Sequence, residues 1–213
     1  MDKYIIMCGG EYKEFETPKH LSVIKGERLV DRTIRLLREN NVKDIYISSN
    51  NPIFDTCDAK RLINNNNNWI ENKKGYWLDA FYPTEDKVRY IFGDVYFTEE
   101  AIKTIVNYKT DKDVLFGTGA AYNIWHYNWG EPFCYIVNHP KEFHDAIKEV
   151  KRLYDEGKTD RHPIVWELYR YLNNLDINKQ QVLEDTYVVI DDGTIDIDSK
   201  DRIEELNKKV SDK

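Results

Sequence analysis

The chain has 213 residues, of which 41% are hydrophobic and 32% charged, and its formal net charge is −7. This acidic balance argues against non-specific binding to DNA or RNA, which depends on a basic surface. No run approaches 18 apolar residues and the three cysteines form no CxxC pair, so we expect a cytoplasmic protein without membrane span, disulfide framework or structural zinc.

The first part of the chain alternates between strand and helix patterns. Residues 3–8, KYIIMC, form a short apolar run that ends in Gly9 and Gly10, as in a central strand of a parallel sheet. Apolar residues near helical spacing predict a helix over 28–40, and a second strand follows at 42–50. The order strand, glycine loop, helix, strand predicts a βαβ unit and therefore a parallel sheet.

The alternation resumes after a less regular segment. Residues 53–80, which contain the asparagine run at 64–68, indicate an irregular insertion. The later predicted elements are strands at 86–92, 113–119, 132–138 and 186–190, and helices that begin at Thr98, span 140–154 and 164–172, and begin at Ser199. We therefore expect a single α/β domain over 1–213, built as a three-layer, Rossmann-like α/β/α sandwich with a mostly parallel sheet.

The loop after the first strand follows two adjacent glycines and is rich in charged residues. In an open α/β sheet, ligands bind outside the carboxyl ends of the strands, and glycines let backbone N–H groups approach a phosphate. Lys19, nine residues after Gly10, would neutralise phosphate charge. The loop matches neither the dinucleotide fingerprint nor the P-loop, and a glycine pair is also typical of a plain tight turn.

Acidic residues stand at the ends of two other predicted strands. Asp94 follows Gly93 directly after a buried strand, where a carboxylate either holds a hard cation such as Mg²⁺ or caps a turn. Asp196 and Asp198 alternate along a predicted strand and therefore point to one face. They either complete a cation site with Asp94 or decorate the start of a helix with negative charge.

Taken in order, YIIMCGGEYKEFETPKHL (4–21), YIFGDVYF (90–97) and IDIDSKDRIEEL (195–206) resemble the nucleotidyltransferases of the GT-A-like fold. This group includes molybdenum-cofactor guanylyltransferases, sugar-phosphate nucleotidylyltransferases, and cytidylyltransferases that act on sugar acids and polyol phosphates. The resemblance implies the fold of nucleotide-diphospho-sugar transferases. It also implies an Mg²⁺-dependent enzyme that transfers NMP from an NTP to a sugar or polyol phosphate, releases pyrophosphate and makes a nucleotide-activated precursor.

The resemblance also implies roles for individual residues. Asp94 falls on the family's Gly-Asp after the central strand, and Asp198 falls near its late acidic position, so both would bind Mg²⁺. Lys19 and Asp94 are the implied catalytic residues. Tyr12-Lys13-Glu14 stands where the family has an arginine, with Lys13 as the substitute cation. The implied nucleotide-binding residues are Cys8, Gly9, Gly10, Glu11, Lys13 and Lys19.

The second half of the chain contains candidates for acceptor binding. Residues 122–133 are rich in aromatic side chains, including Trp125. Three interpretations are open: these side chains form the wall of an acceptor pocket, pack on the sheet, or make a subunit contact in a homo-oligomer. Arg161 either binds an acceptor phosphate or starts a solvated helix. Two rival functions remain: a glycosyltransferase of the related fold, with Asp111 and Asp113 as its D-x-D, and a non-catalytic relative that binds a nucleotide or sugar.

Overall fold

The computed structural model describes residues 2–10, 15–66, 75–119 and 130–208. The strands are β1 Lys3–Met7, β2 Val23–Ile24, β3 Glu27–Arg28, β4 Ile45–Ser48, β5 Lys60–Leu62, β6 Val88–Phe92, β7 Val95–Tyr96, β8 Val114–Gly117, β9 Pro132–Val137, β10 Tyr187–Val189 and β11 Ile195–Asp196. The α-helices are α1 Leu29–Glu39, α2 Glu99–Asn107, α3 Pro140–Asp155, α4 Val165–Leu172 and α5 Lys200–Lys208. Short 3₁₀ helices lie at Lys19–Leu21, Pro52–Thr56 and Trp77–Ala80. Within these ranges, no helix is both long and apolar enough to cross a membrane.

Seven strands form the central sheet, in the order β10-β8-β9-β6-β1-β4-β5. Neighbouring strands are parallel except that β9 runs antiparallel to both β6 and β8. The predicted βαβ unit is present, because β1 pairs in parallel with β4 and Tyr4 lies opposite Ile45. The prediction of a mostly parallel sheet is therefore confirmed.

Helices cover both faces of this sheet, as two neighbouring residues of β6 show. The Tyr90 ring stacks on Phe143 of α3, with 5.8 Å between the ring centroids. Arg89 instead donates hydrogen bonds to the carbonyls of Ile105 and Tyr108, at the end of α2. Because successive strand residues point to opposite faces, α2 and α3 lie on opposite sides of the sheet. Helix α1 contacts α2, and α3 contacts α4, which gives the predicted three-layer sandwich.

The central strands are apolar on both faces because both faces are covered by helices. Ile5 and Ile6, adjacent in β1, are both completely buried. Each such side chain stabilises the fold by about 1.5–3 kcal/mol relative to an exposed one. The start of α2 also follows the prediction, since the Thr98 hydroxyl accepts a hydrogen bond from the Ala101 N–H at 3.0 Å.

Part of the segment predicted as irregular belongs to the sheet. Within residues 53–80, Lys60–Leu62 forms β5 and pairs in parallel with β4 at the edge of the sheet. A three-residue strand that begins with two cations has no apolar alternation, so its sequence does not reveal it.

Candidate active site

The carboxyl ends of β1 and β6 approach each other closely at Gly93. The Gly93 N–H donates to the Met7 carbonyl at 3.0 Å. A Cβ atom at position 93 would lie 2.5 Å from the Met7 carbonyl oxygen and 2.7 Å from Cys8 Sγ. Only glycine fits this space, and its presence sets Asp94 directly against the loop that follows β1.

A short turn places Lys19 opposite Asp94. The 3₁₀ helix Lys19–Leu21 follows Pro18, whose carbonyl accepts a hydrogen bond from the Leu21 N–H at 2.8 Å. His20, within this turn, is buried and packs edge-on against Phe54. Burial lowers the pKa of His20 to about 4, so this imidazole is neutral and anchors the turn in the core.

Lys19 pairs with two of the predicted metal-binding carboxylates. Its Nζ lies 2.9 Å from Asp94 Oδ2 and 3.4 Å from Asp198 Oδ1, and its side chain is 17% exposed. Burial opposes the charged form, yet the carboxylates of Asp94, Asp196 and Asp198 raise the pKa of Lys19. The ammonium therefore stays charged at neutral pH. The structure thus brings Lys19 together with Asp94 and Asp198, which lie far from it in the sequence.

Two further carboxylates, Asp196 and Glu131, crowd the same place. Carboxylate oxygens of Glu131, Asp196 and Asp198 all lie within 4.8 Å of one another. Burial and the negative charge of Asp94 raise the pKa of Asp196 well above its ordinary value. Burial and the negative charges of Asp198 and Asp94 raise the pKa of Glu131 to about 7. Burial also opposes ionisation of Asp94, but Lys19 lowers its pKa. These crowded, hard oxygen donors fit a Mg²⁺ ion, which would relieve their mutual repulsion.

The C-terminal segment holds Asp196 and Asp198 at the site. Strand β11 pairs antiparallel with β7, and the Ile197 N–H donates to the Asp94 carbonyl at 2.9 Å. The completely buried Ile197 packs in a small hydrophobic cluster whose other buried members are Ile24, Leu29, Tyr96 and Leu206. This cluster joins the β2–β3 hairpin, α1, β7 and α5. The two aspartates flank a buried isoleucine and are therefore fixed in position.

All of these acidic residues and Lys19 line one cleft with a volume of about 300 Å³. Arg161, predicted as an acceptor-binding residue, lines it too, and its Nε donates to Glu167 Oε1 at 2.9 Å. The remaining described walls are Trp77, Phe92, Gly130, Pro132, Ile164, Val165 and Trp166. The cleft thus combines a charged floor with aromatic and aliphatic walls.

The residues predicted for nucleotide binding are placed differently from one another. Cys8 is completely buried, and burial raises the pKa of its thiol, so its side chain belongs to the core. Gly9 packs near Ala80, and Gly10 has φ of +117°, a conformation that favours glycine. The predicted residues outside the described part of the chain are Glu11, Lys13 and Trp125.

Glu131 is a residue of the cleft that sequence patterns do not reveal. An acid ahead of a parallel strand would lie at the opposite edge of the sheet, but β9 is antiparallel and begins at the cleft. Two hydrogen bonds with Thr118 fix it there: the Thr118 N–H donates to the Glu131 carbonyl at 2.9 Å, and the Glu131 N–H donates to the Thr118 hydroxyl at 3.0 Å. Its one signal is an acid between Gly130 and Pro132 before an apolar run.

Several solved structures share this architecture, whereas no protein-family model and no curated protein matches the chain. A putative glucose-1-phosphate thymidylyltransferase from Bacillus anthracis aligns over 100% of this chain and 96% of its own, with a TM-score of 0.59 and 12% identity. The CTP:phosphocholine cytidylyltransferase of Streptococcus pneumoniae aligns over 98% of both chains, with a TM-score of 0.58 and 13% identity. The inositol-1-phosphate CTP transferase of T. maritima aligns over 100% and 97%, with a TM-score of 0.56 and 16% identity.

At identities this low, the likeness establishes the fold. The chain has the fold of the sugar-phosphate nucleotidylyltransferases and cytidylyltransferases, a group that also includes a molybdopterin-guanine dinucleotide biosynthesis protein A from Archaeoglobus fulgidus. The predicted resemblance is confirmed at this level.

Proposed function

We propose that the protein is an Mg²⁺-dependent nucleotidyltransferase that transfers NMP from an NTP to a small phosphorylated acceptor and releases pyrophosphate. The observation that carries this proposal is the Lys19–Asp94 pair, 2.9 Å apart, which joins the loop after β1 to the turn after β6. The names of the structural neighbours add support, since their acceptors are glucose 1-phosphate, phosphocholine and inositol 1-phosphate. A sugar or polyol phosphate, as the sequence resemblance implies, falls in this class.

The proposed reaction requires no nucleophile from the protein. A phosphate oxygen of the acceptor attacks the α-phosphorus of the NTP and forms the new P–O bond. The bond between the α-phosphorus and the oxygen that bridges to the β-phosphate breaks, and pyrophosphate leaves with that electron pair. The contribution of the protein is therefore to position both phosphates and to balance the charge that develops between them.

The described residues of the cleft suit these two tasks. Lys19 would exchange part of its contact with Asp94 for the phosphates and stabilise negative charge on the transferred group. The backbone N–H groups of Gly9 and Gly10 would hold the triphosphate. Asp94, Asp198 and the neighbouring carboxylates of Asp196 and Glu131 would hold Mg²⁺, which when bound would supply charge stabilisation for the leaving pyrophosphate.

The rival glycosyltransferase function has less support than the nucleotidyltransferase function, because its candidate D-x-D motif lies away from the cleft. Asp113 precedes β8, at the edge of the sheet opposite the cleft. Its Oδ1 accepts hydrogen bonds from the backbone N–H groups of Asn138 and His139, at 2.7 and 3.0 Å. Asp113 is thus occupied in joining β8 to the end of β9.

Two measurements in sequence test the proposed function. A thermal-shift series with ATP, CTP, GTP and UTP, each with and without Mg²⁺, should identify one NTP that raises the melting temperature with increasing concentration. Pyrophosphate release from that NTP should then depend on an added phosphorylated acceptor. Binding without release under all acceptors would instead favour the non-catalytic relative, and an absence of both would contradict the proposal.

A further inference from the structure

A second cavity lies at the edge of the sheet opposite the cleft, with a volume of about 450 Å³. Its walls come from the end of α4, the start of α3, and the residues that follow β9 and precede β8 and β10. Strand β9 and helix α4 each begin beside the cleft and end beside this cavity, since Pro132 and Val165 line the cleft and Leu172 lines the cavity. The cavity is therefore separate from the proposed active site.

Tyr135 of β9 lines this cavity with a buried hydroxyl group. The side chain is completely buried, and its ring packs edge-on against Phe143 with 5.0 Å between the ring centroids. Among the described residues, the hydroxyl has no hydrogen-bond partner. Burial and the negative charge of Asp113, which also lines the cavity, raise the pKa of Tyr135. Because buried polar groups are nearly always hydrogen-bonded, we expect the partner of this hydroxyl to occupy the cavity.

Neighbouring polar groups of the wall are already paired with one another. The Thr186 hydroxyl donates to Asn173 Oδ1 at 2.8 Å. Lys112 Nζ donates to Asp185 Oδ2 at 2.7 Å. These contacts hold the wall in place and leave the Tyr135 hydroxyl as the buried group that a bound molecule would complete.

The charges of the wall indicate which kind of molecule fits. Carboxylates of Asp113, Glu142 and Asp185 line the cavity, whereas Lys112 supplies the one permanent positive charge among the described lining residues. This balance disfavours an anion. An ammonium group only donates hydrogen bonds, so it would leave the Tyr135 proton without an acceptor. A hydroxyl group satisfies both requirements, because it accepts from the tyrosine and donates to a carboxylate.

We propose that this cavity is a binding site for a small, neutral polyhydroxylated molecule, which accepts a hydrogen bond from the Tyr135 hydroxyl. The same hydroxyl of the ligand donates to Asp113, and its other hydroxyls pair with Glu142 and Lys112 at the exposed mouth. The site lies outside the cleft and does not depend on the proposed nucleotidyltransferase function.

An NMR titration of backbone amides tests the proposal with four probes of similar size. D-xylose and xylitol are neutral and offer hydroxyls on a ring and on an open chain, whereas cyclohexylammonium and cyclohexanecarboxylate are a cation and an anion. At least one neutral probe should bind about tenfold more tightly than either charged probe. It should shift the amides of Asn173 and Thr186 but not that of Gly93 at the cleft. The tighter of the two neutral probes identifies the ligand as a ring or an open chain.

Two tyrosine variants provide a matched comparison. Tyr135→Phe should weaken binding of the neutral probe about tenfold. Tyr90→Phe removes the same atom from the residue opposite Tyr135 in β6, whose hydroxyl donates to the Tyr82 carbonyl at 2.5 Å, and should bind the probe as the wild type does. Without a probe, Tyr90→Phe should melt below the wild-type temperature, whereas Tyr135→Phe should melt at that temperature or above it.

Four results would overturn the proposal. No shift at Asn173 and Thr186 with either neutral probe would mean that water alone fills the cavity. Tighter binding of a charged probe would refute the class of ligand. Unchanged affinity in Tyr135→Phe would remove the tyrosine from the site. A melting temperature that falls as far in Tyr135→Phe as in Tyr90→Phe would mean that the Tyr135 hydroxyl already has a partner within the protein.

Discussion

Replacing Lys19 with alanine would remove the cation that lies 2.9 Å from Asp94, in a pair whose side chains are only 17% and 28% exposed. Two unit charges at this distance interact by about 6 kcal/mol at an effective dielectric constant of 20. Most of that energy offsets the cost of removing both groups from water. We expect a net loss of about 2 kcal/mol in unfolding free energy, which lowers the melting temperature of a chain of this length by about 4–8 °C.

The effect of Lys19→Ala on activity should exceed its effect on stability. Loss of a charge that stabilises the transferred phosphoryl group should reduce pyrophosphate release by about a hundredfold or more. Lys3→Ala is the matched control, since Lys3 pairs with Asp86 at 2.6 Å in a more exposed ion pair far from the cleft. Thermal denaturation and pyrophosphate release measure both variants. Wild-type activity in Lys19→Ala would refute a role for Lys19 in phosphate binding.

Two other predictions concern the frame of the site and the pH dependence of stability. Gly93→Ala should lower the free energy of unfolding by about 1–3 kcal/mol, because the added Cβ would overlap the Met7 carbonyl. Gly119→Ala is the control, since its added Cβ would have its nearest contact at 3.5 Å, and its free energy of unfolding should change little. Chemical denaturation measures both variants. Burial, together with the charge of Lys148, lowers the pKa of His144 from 6.5 to about 4. Below pH 6.5 the unfolded chain therefore binds more protons than the folded protein. The free energy of unfolding of the wild-type protein should therefore decrease as the pH is lowered from 7.5 to 5. After allowance for solvent screening, this decrease should be about 1 kcal/mol larger than the decrease in His144→Gln.

Each of these predictions has a contrary result. Equal denaturation midpoints for Gly93→Ala and Gly119→Ala would mean that the ends of β1 and β6 separate easily, and that Asp94 is not held by close packing. Identical pH profiles for the wild-type protein and His144→Gln would mean that burial does not keep the imidazole neutral in the folded state.

The central architecture can be predicted from the sequence because local hydrophobic patterns determine that part of the fold. The apolar run of β1, the helical spacing of α1 and the strand after it each have a distinct period, so their order predicts a parallel sheet. The Gly-Asp after β6 is likewise a local signal, and it correctly places Asp94 at the carboxyl edge of the sheet.

Local sequence patterns do not predict features that depend on strand direction or on very short strands. The antiparallel direction of β9 moves Glu131 to the cleft, and no period in the sequence distinguishes that direction. Strand β11 has two residues, so Asp198 lies just beyond it, and the buried Ile197 between the two aspartates is what fixes them. These contacts join residues far apart in the chain and follow from the assembled fold.

The most direct test of the proposed function is the effect of Asp94→Asn on pyrophosphate release, measured with the NTP that binds the wild-type protein and with Mg²⁺ present. The substitution keeps the shape of the side chain and removes its charge. If Asp94 helps to hold the metal ion, release should fall by about a thousandfold while the circular dichroism spectrum stays that of the wild type. Unchanged release from a folded Asp94→Asn variant would contradict the proposed site.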